Sequence, residues 1–226
     1  HGALSSVSEA ELLQGANIAA VGDTASGWEI LQFARAELVA ADTYRISMLL
    51  RGQSGSEPEM ISIRNAGNRF VLLNAATVQP VLSLADAALD INWQIGPSQY
   101  DINRAYLSID HKGRMLGLRP LSPCQVVARR DGGDVVFTWI RRTRTDGDSW
   151  ELAEVPLGED AEIYDLDVMD GDDVRRTATV SVPVYRYLAA DIATDFGSLP
   201  ETLTVRIAQI SAIYGRGANL TRTLHV

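Results

Sequence analysis

The chain has 226 residues, 46% of them hydrophobic and 22% charged, a balance that builds a real core and excludes a disordered tail or a collagen-like rod. Its net charge of -9 argues against general nucleic-acid binding, because phosphate contacts need clustered cations. The single cysteine, Cys124, excludes an internal disulfide framework and a multi-cysteine zinc site. Three histidines (His1, His111 and His225) leave little for metal or acid–base chemistry, so no cofactor is expected.

In chain order, the sequence begins at His1 and is expected to be a processed product or a piece of a longer polypeptide. Residues 1–14 lack the charged and apolar regions of a signal peptide and read as a linker entering a short helix, with Ser8 capping it before Glu9 and Glu11. No apolar run approaches the roughly 18–20 residues of a membrane-crossing helix. Residues 15–119 form a mostly-β module. Short apolar segments lie at Glu29–Phe33, Ala36–Val39 and Tyr44–Leu50, and Arg51–Ser56 reads as a flexible polar loop. A turn at Asn65–Asn68 leads into Arg69–Leu73, Asp90–Ile95 and Arg114–Leu118 complete the β pattern, and Leu84–Leu89 is the one helical turn.

Pro120 and Pro123 hold the backbone extended and mark a boundary at Arg119–Pro123. Beyond it, residues 121–226 read as a sandwich of about seven short strands. Gln125–Arg130 and Val135–Ile140 flank a glycine turn at Asp131–Asp134, and a long connection runs from Arg141 to Glu162. Ile163–Met169 turns at Asp170-Gly171-Asp172 into Val174–Val182, and Pro183 before Val184–Leu188 suggests an edge or a bulge. Leu203, Val205 and Ile207 alternate with polar neighbours, and Gly215-Arg216-Gly217 turns into Asn219–Val226. The fold class is all-β.

Charge is unevenly placed. Five arginines (Arg129, Arg130, Arg141, Arg142 and Arg144) lie in a stretch with two acids, whereas Asp146–Asp173 holds twelve acids and no base. A stretch of that kind repels itself unless it is spread over the surface or neutralised. The arginines, with Asp165, Asp167 and Asp170, are therefore candidate interface residues toward the neighbouring module or another subunit; the alternative is a solvated face. The cluster Asp165, Asp167, Asp170, Asp172 and Asp173 departs from the calcium-loop template, because Met169 and Gly171 stand at the wrong places. Cys124 and His111 offer a nucleophile and a base, but nothing near Cys124 in sequence lowers its pKa. Trp28 and Trp150, among polar residues in predicted loops, are candidates for stacking on a glycan, with packing over a sandwich edge as the structural alternative.

Two resemblances add to this reading. Pro123, Trp139, the row Tyr164/Leu166/Val168 and the strand Leu203–Ile210 followed by Gly215-Arg216-Gly217 make the second module resemble a fibronectin type III domain. Leu203 stands where many such domains carry a tyrosine. The succession Glu29–Phe33, Ala36–Val39, Tyr44–Ile46, Leu49-Leu50-Arg51-Gly52-Gln53-Ser54-Gly55-Ser56-Glu57 and Gly67–Leu73 is similar to the C-terminal region of the tail-tip hub, or megatron, proteins of siphophage-like particles and gene transfer agents, which usually have threonine where Ser56 stands. That resemblance covers roughly residues 15–226. It implies a structural baseplate component in an extracellular particle, a trimer through the full-length chain contacting other baseplate proteins, with a part in host attachment and DNA delivery. A carbohydrate-binding adhesin that meets a host surface glycan is the alternative. A hydrolase is not expected, since the sequence holds no G-x-S-x-G and no H-E-x-x-H.

Overall fold

The computed structural model describes residues 3–86, 89–147, 149, 151 and 153–226. It is built almost wholly of antiparallel strands. The chain enters through the short helix α1 (Glu9–Leu13), started by a reciprocal cap in which the Ser8 backbone and hydroxyl donate to Glu11 at 2.8 Å.

The first sheet has the order β3-β2-β1-β4, with β1 Ile18–Asp23, β2 Gly27–Ala40, β3 Thr43–Gln53 and β4 Arg69–Leu72. The two segments expected at Glu29–Phe33 and Ala36–Val39 are one 14-residue strand, because nothing between them breaks an extended chain. The break comes at Asp42, whose positive φ of 53° makes the turn into β3. Alternation puts Glu29, Leu31 and Phe33 on one buried face. Phe33 packs on Phe70 at 6.1 Å, and Gln32, on the opposite face, is satisfied by donating to the Leu12 and Ala16 carbonyls. Trp28, expected in a loop, lies half-buried within β2 beside Gly22 of β1.

The polar segment Arg51–Ser56 is also more ordered than expected: β3 runs on to Gln53, and Ser56 is buried. A two-stranded ribbon follows, β5 (Asp90–Ile95) paired with β6 (Leu107–Lys112). Arg114–Leu118, expected as a strand, instead closes into a single 3-10 turn at Leu116–Leu118, which the left-handed Met115 starts. The turn expected at Leu84–Leu89 is present at Leu84–Asp86, and residues 87 and 88 lie outside the described ones. A second short helix, α2 (Ile102–Ala105), links β5 to β6.

The second half is a two-sheet sandwich. The strands β7 (Cys124–Asp131), β8 (Asp134–Ile140) and β11 (Val184–Tyr187) form one sheet in the order β11-β8-β7. Facing it are β9 (Tyr164–Asp170), β10 (Asp173–Val180), β12 (Thr202–Ser211) and β14 (Leu220–His225), in the order β10-β9-β12-β14, with the two-residue β13 (Gly215–Arg216) against the end of β12. The core interdigitates Val135, Phe137 and Trp139 with Tyr164, Leu166, Val168, Leu203, Val205 and Ile207. Trp139 meets Tyr164 edge-to-face at 5.3 Å. Pro183 stands where the chain leaves the edge strand β10 and crosses to become the edge of the other sheet. The bulge on this stretch lies earlier, between Val174 and Arg176. The helix α3 (Ala189–Phe196), not anticipated, buries Ile192 in the core.

Candidate functional site

The densest polar construction lies where the first sheet meets the linker and the sandwich, and its centre is the segment Arg51–Glu57. Glu29 is wholly buried at the start of β2, a place that demands compensation for its charge. Arg51 on β3 supplies it with a two-pronged contact, Nε and Nη2 each 2.7 Å from the carboxylate, and Arg64 adds Nη2 at 3.3 Å. The Gly52 amide donates to the same carboxylate at 3.3 Å. Burial pushes the Glu29 carboxyl up, but these donors more than offset it and leave it below its ordinary 4.5.

Each following residue has a task. The Ser56 hydroxyl accepts from the Ile30 amide at 2.9 Å and donates to the Gln53 carbonyl at 2.7 Å, tying the loop to β2. Gly55, at φ 78°, comes so near the 3-10 turn that a β-carbon would lie 1.9 Å from the Leu116 carbonyl oxygen. Its own carbonyl accepts from the Arg119 guanidinium, which is buried. Glu57 reaches across to the sandwich, where Arg142 Nη1 lies 2.9 Å away and the Ser122 hydroxyl donates at 3.4 Å. Glu59 takes Arg114 at 3.0 Å.

The linker is held from the other side as well. The Pro120 carbonyl accepts from the Ala218 amide at 2.9 Å, and Gly217 is pinned between Gln209 and Pro120 with no room for a β-carbon. The boundary expected at Arg119–Pro123 is thus a packed joint.

A cleft of about 330 Å³ opens beside the loop, walled by Arg51, Gln53, Ser54, Glu57, Arg142 and Arg144. Its three arginines are each engaged by a carboxylate, Glu29, Glu57 and Glu159 respectively. The cleft therefore offers a phosphate little net attraction.

The other candidate interface residues are distributed as follows. Arg141 holds Glu162 at 3.1 Å and the Val155 carbonyl at 2.6 Å, and Arg144 holds Glu159 at 2.7 Å, so both draw the long acidic connection onto the sandwich. Asp167 is buried on the outer face of β9 under Arg206 and Arg216, with Thr177 donating at 2.8 Å. Burial raises its carboxyl, and Thr177 and the two arginines bring it below the ordinary 3.8. Asp165 takes Thr179 and Arg216, and Asp170 takes Arg175. Asp165 and Asp167 share Arg216 while Asp170 pairs with Arg175, so each carboxylate is answered by an arginine, and no group of three metal-ligating side chains occurs among the described residues. Arg130 donates to the Val226 carbonyl, and Arg129 is exposed on β7. Cys124 and His111 lie on β7 and β6, in different sheets. Trp150 lies outside the described residues.

The sequence points to Leu49–Glu57, and with it Glu29–Phe33, through the family resemblance, and marks Arg119 and Ser122 only as part of the boundary; it assigns no role to Glu29, Arg64, Ser122 or Arg119. A signal for Glu29 was present: it shares the period-two face of Leu31 and Phe33.

A family model described as Rcc01698-like, C-terminal, matches residues 1–71. The match spans α1 to β4 and includes Glu29, the Arg51–Glu57 segment and Arg64, and it relates this part of the chain to a gene transfer agent-associated protein. No curated protein matches the chain. Among solved structures, the spore cortex lytic enzyme SleM of Clostridium perfringens aligns with TM-score 0.31 and 13% identity over 48% of this chain, which spans only 29% of that one. Domains d3–d4 of the rat CD45 extracellular region align with TM-score 0.33 and 11% identity over 85% of this chain and 94% of that one. Both likenesses are too distant to carry function.

Proposed function

We propose that this chain is a structural, non-enzymatic part of the tail tip of a gene transfer agent or related phage-like particle, belonging to its hub protein. The observation that carries the reading is the family match over residues 1–71, which falls on the first sheet and on the loop that joins it to the rest. The joint supports it: the half-buried Glu57–Arg142 ion pair, together with the Arg119–Gly55 and Ala218–Pro120 hydrogen bonds, ties the two modules together, which suits a part that transmits position. The sandwich is read as fibronectin type III-like, supported by the three-stranded sheet β7-β8-β11 facing β10-β9-β12-β14. In this reading the full-length hub is a homotrimer that contacts other baseplate proteins, meets a host surface glycan and guides DNA out of the particle.

The test is cryo-microscopy of purified particles with Fab fragments raised against residues 121–226. Fab density confined to the distal end of the tail is the expected result. Density on the head, or particles that lack the chain, would overturn the proposal.

A further inference from the structure

The ribbon β5–β6 stands apart from both cores. It consists of two strands only, and such a hairpin is marginal in water without further strands or a covering layer. One face carries Ile91, Trp93, Ile95, Leu107 and Ile109, with His111 at its end opposite Ile91, and Ile95 and Leu107 are 56% and 61% exposed. On the opposite face Asn92 and Gln94 donate to Ser108 at 2.9 Å, and Asn92 also donates to the Asp110 carboxylate of β6 at 2.8 Å.

Proteins usually protect a free sheet edge with a charge, a proline or a bulge. The other edge strands follow this rule among the described residues. β3 carries Arg45 and Arg51, β4 Arg69, β6 Asp110 and Lys112, β7 Arg129 and Arg130, β11 Arg186, and β14 Arg222. β10 has both Arg175 and a bulge. β5 carries a charge only at its first residue, Asp90; from Ile91 to Ile95 it has no charge, proline or bulge, and its register with β6 is unbroken.

That stretch is also close to a chemical palindrome, Ile-Asn-Trp-Gln-Ile. If two copies lie antiparallel about a two-fold axis at Trp93, Ile91 faces Ile95, Asn92 faces Gln94 and Trp93 faces Trp93. Apolar meets apolar and amide meets amide, with no charge opposed. We infer that β5 pairs edge to edge with the β5 of a second copy of this chain, giving a four-stranded sheet β6-β5-β5-β6 with one face apolar but for His111 near its outer ends. The contact is isologous, so it stands apart from the three-fold assembly proposed above and does not rest on it.

Two double variants at the same exposed positions test the register. N92K/Q94K places lysine opposite lysine across the axis, whereas N92K/Q94E places lysine opposite glutamate. Sedimentation equilibrium over about 1–300 μM should show a concentration-dependent dimer for the unaltered chain. Dimerisation should weaken by about tenfold or more in N92K/Q94K and persist in N92K/Q94E, since cross-strand charge pairs have opposite signs in the two. Circular dichroism confirms that both are folded. A chain that stays monomeric throughout, or two variants that dimerise equally, overturns the inference.

Discussion

Replacing Glu29 by glutamine keeps the side-chain volume and removes the charge on which Arg51 and Arg64 converge. The glutamine retains one carbonyl acceptor and turns an N–H pair toward groups that are themselves donors. Breaking a buried ion pair by removing one partner costs about 3–5 kcal/mol, mostly because the other charge stays buried without a partner. Here Arg64 is 12% exposed and cannot recover its hydration in place, whereas Arg51 keeps 34% of its side chain in water and recovers part. The expected loss is therefore about 2–4 kcal/mol. That is a large share of the 5–15 kcal/mol typical of a domain. Urea denaturation measures it, and hydrogen exchange locates it, with lost protection expected at Leu31–Ala34 of β2. A double-mutant cycle with Arg51→Gln should return a coupling of about 1–3 kcal/mol. An unchanged denaturation midpoint with unchanged exchange in β2 would refute the argument that this carboxylate holds β2 to the Arg51–Arg64 segment.

Acidification should act in the same direction. The folded-state pKa values of Glu29 and Asp167 lie below 4.5 and 3.8, so their stabilisation is present above those values and disappears as pH falls through the folded ones. A stability profile measured down to pH 2 should decline there, and less steeply in Glu29→Gln. Gly55→Ala puts a methyl group into the Leu116 carbonyl at a left-handed position, and should lower stability by at least about 2 kcal/mol in the same denaturation assay. Trp139→Ala removes a side chain packed edge-on against Tyr164 and should cost about 3–5 kcal/mol; an unchanged melting temperature would displace Trp139 from the core.

Local pattern reached the sandwich more easily than the first module. Val135/Phe137/Trp139 and Leu203/Val205/Ile207 alternate cleanly because each strand has one buried face, and the glycine turns at 132–133 and 171 mark the hairpins. The first module blurred this signal. Leu31–Ala34 is buried on both faces, which masks the alternation of Glu29, Leu31 and Phe33, and β1 is a short run of apolar residues, Ile18-Ala19-Ala20-Val21. Arg114–Leu118 contains apolar residues at strand-like density, yet a left-handed Met115 redirected it into a turn. The helix α3 carries its apolar stripe over only eight residues, too few for periodicity to stand out.

The all-β class and the capped first helix are legible in the sequence, since each rests on neighbours within a few positions, whereas Arg51–Glu57 stands out only through the family resemblance and reads locally as a flexible loop. Which charges meet depends on the folded topology. Arg119 finds Gly55 across 64 positions, and Arg142 finds Glu57 across 85, whereas the acidic run beginning at Asp146 is answered by arginines from Arg141 to Arg216. The physical reason is that a charge acts through space on whatever the fold brings within a few ångströms, and in a strand a shift of one residue exchanges the buried face for the exposed one.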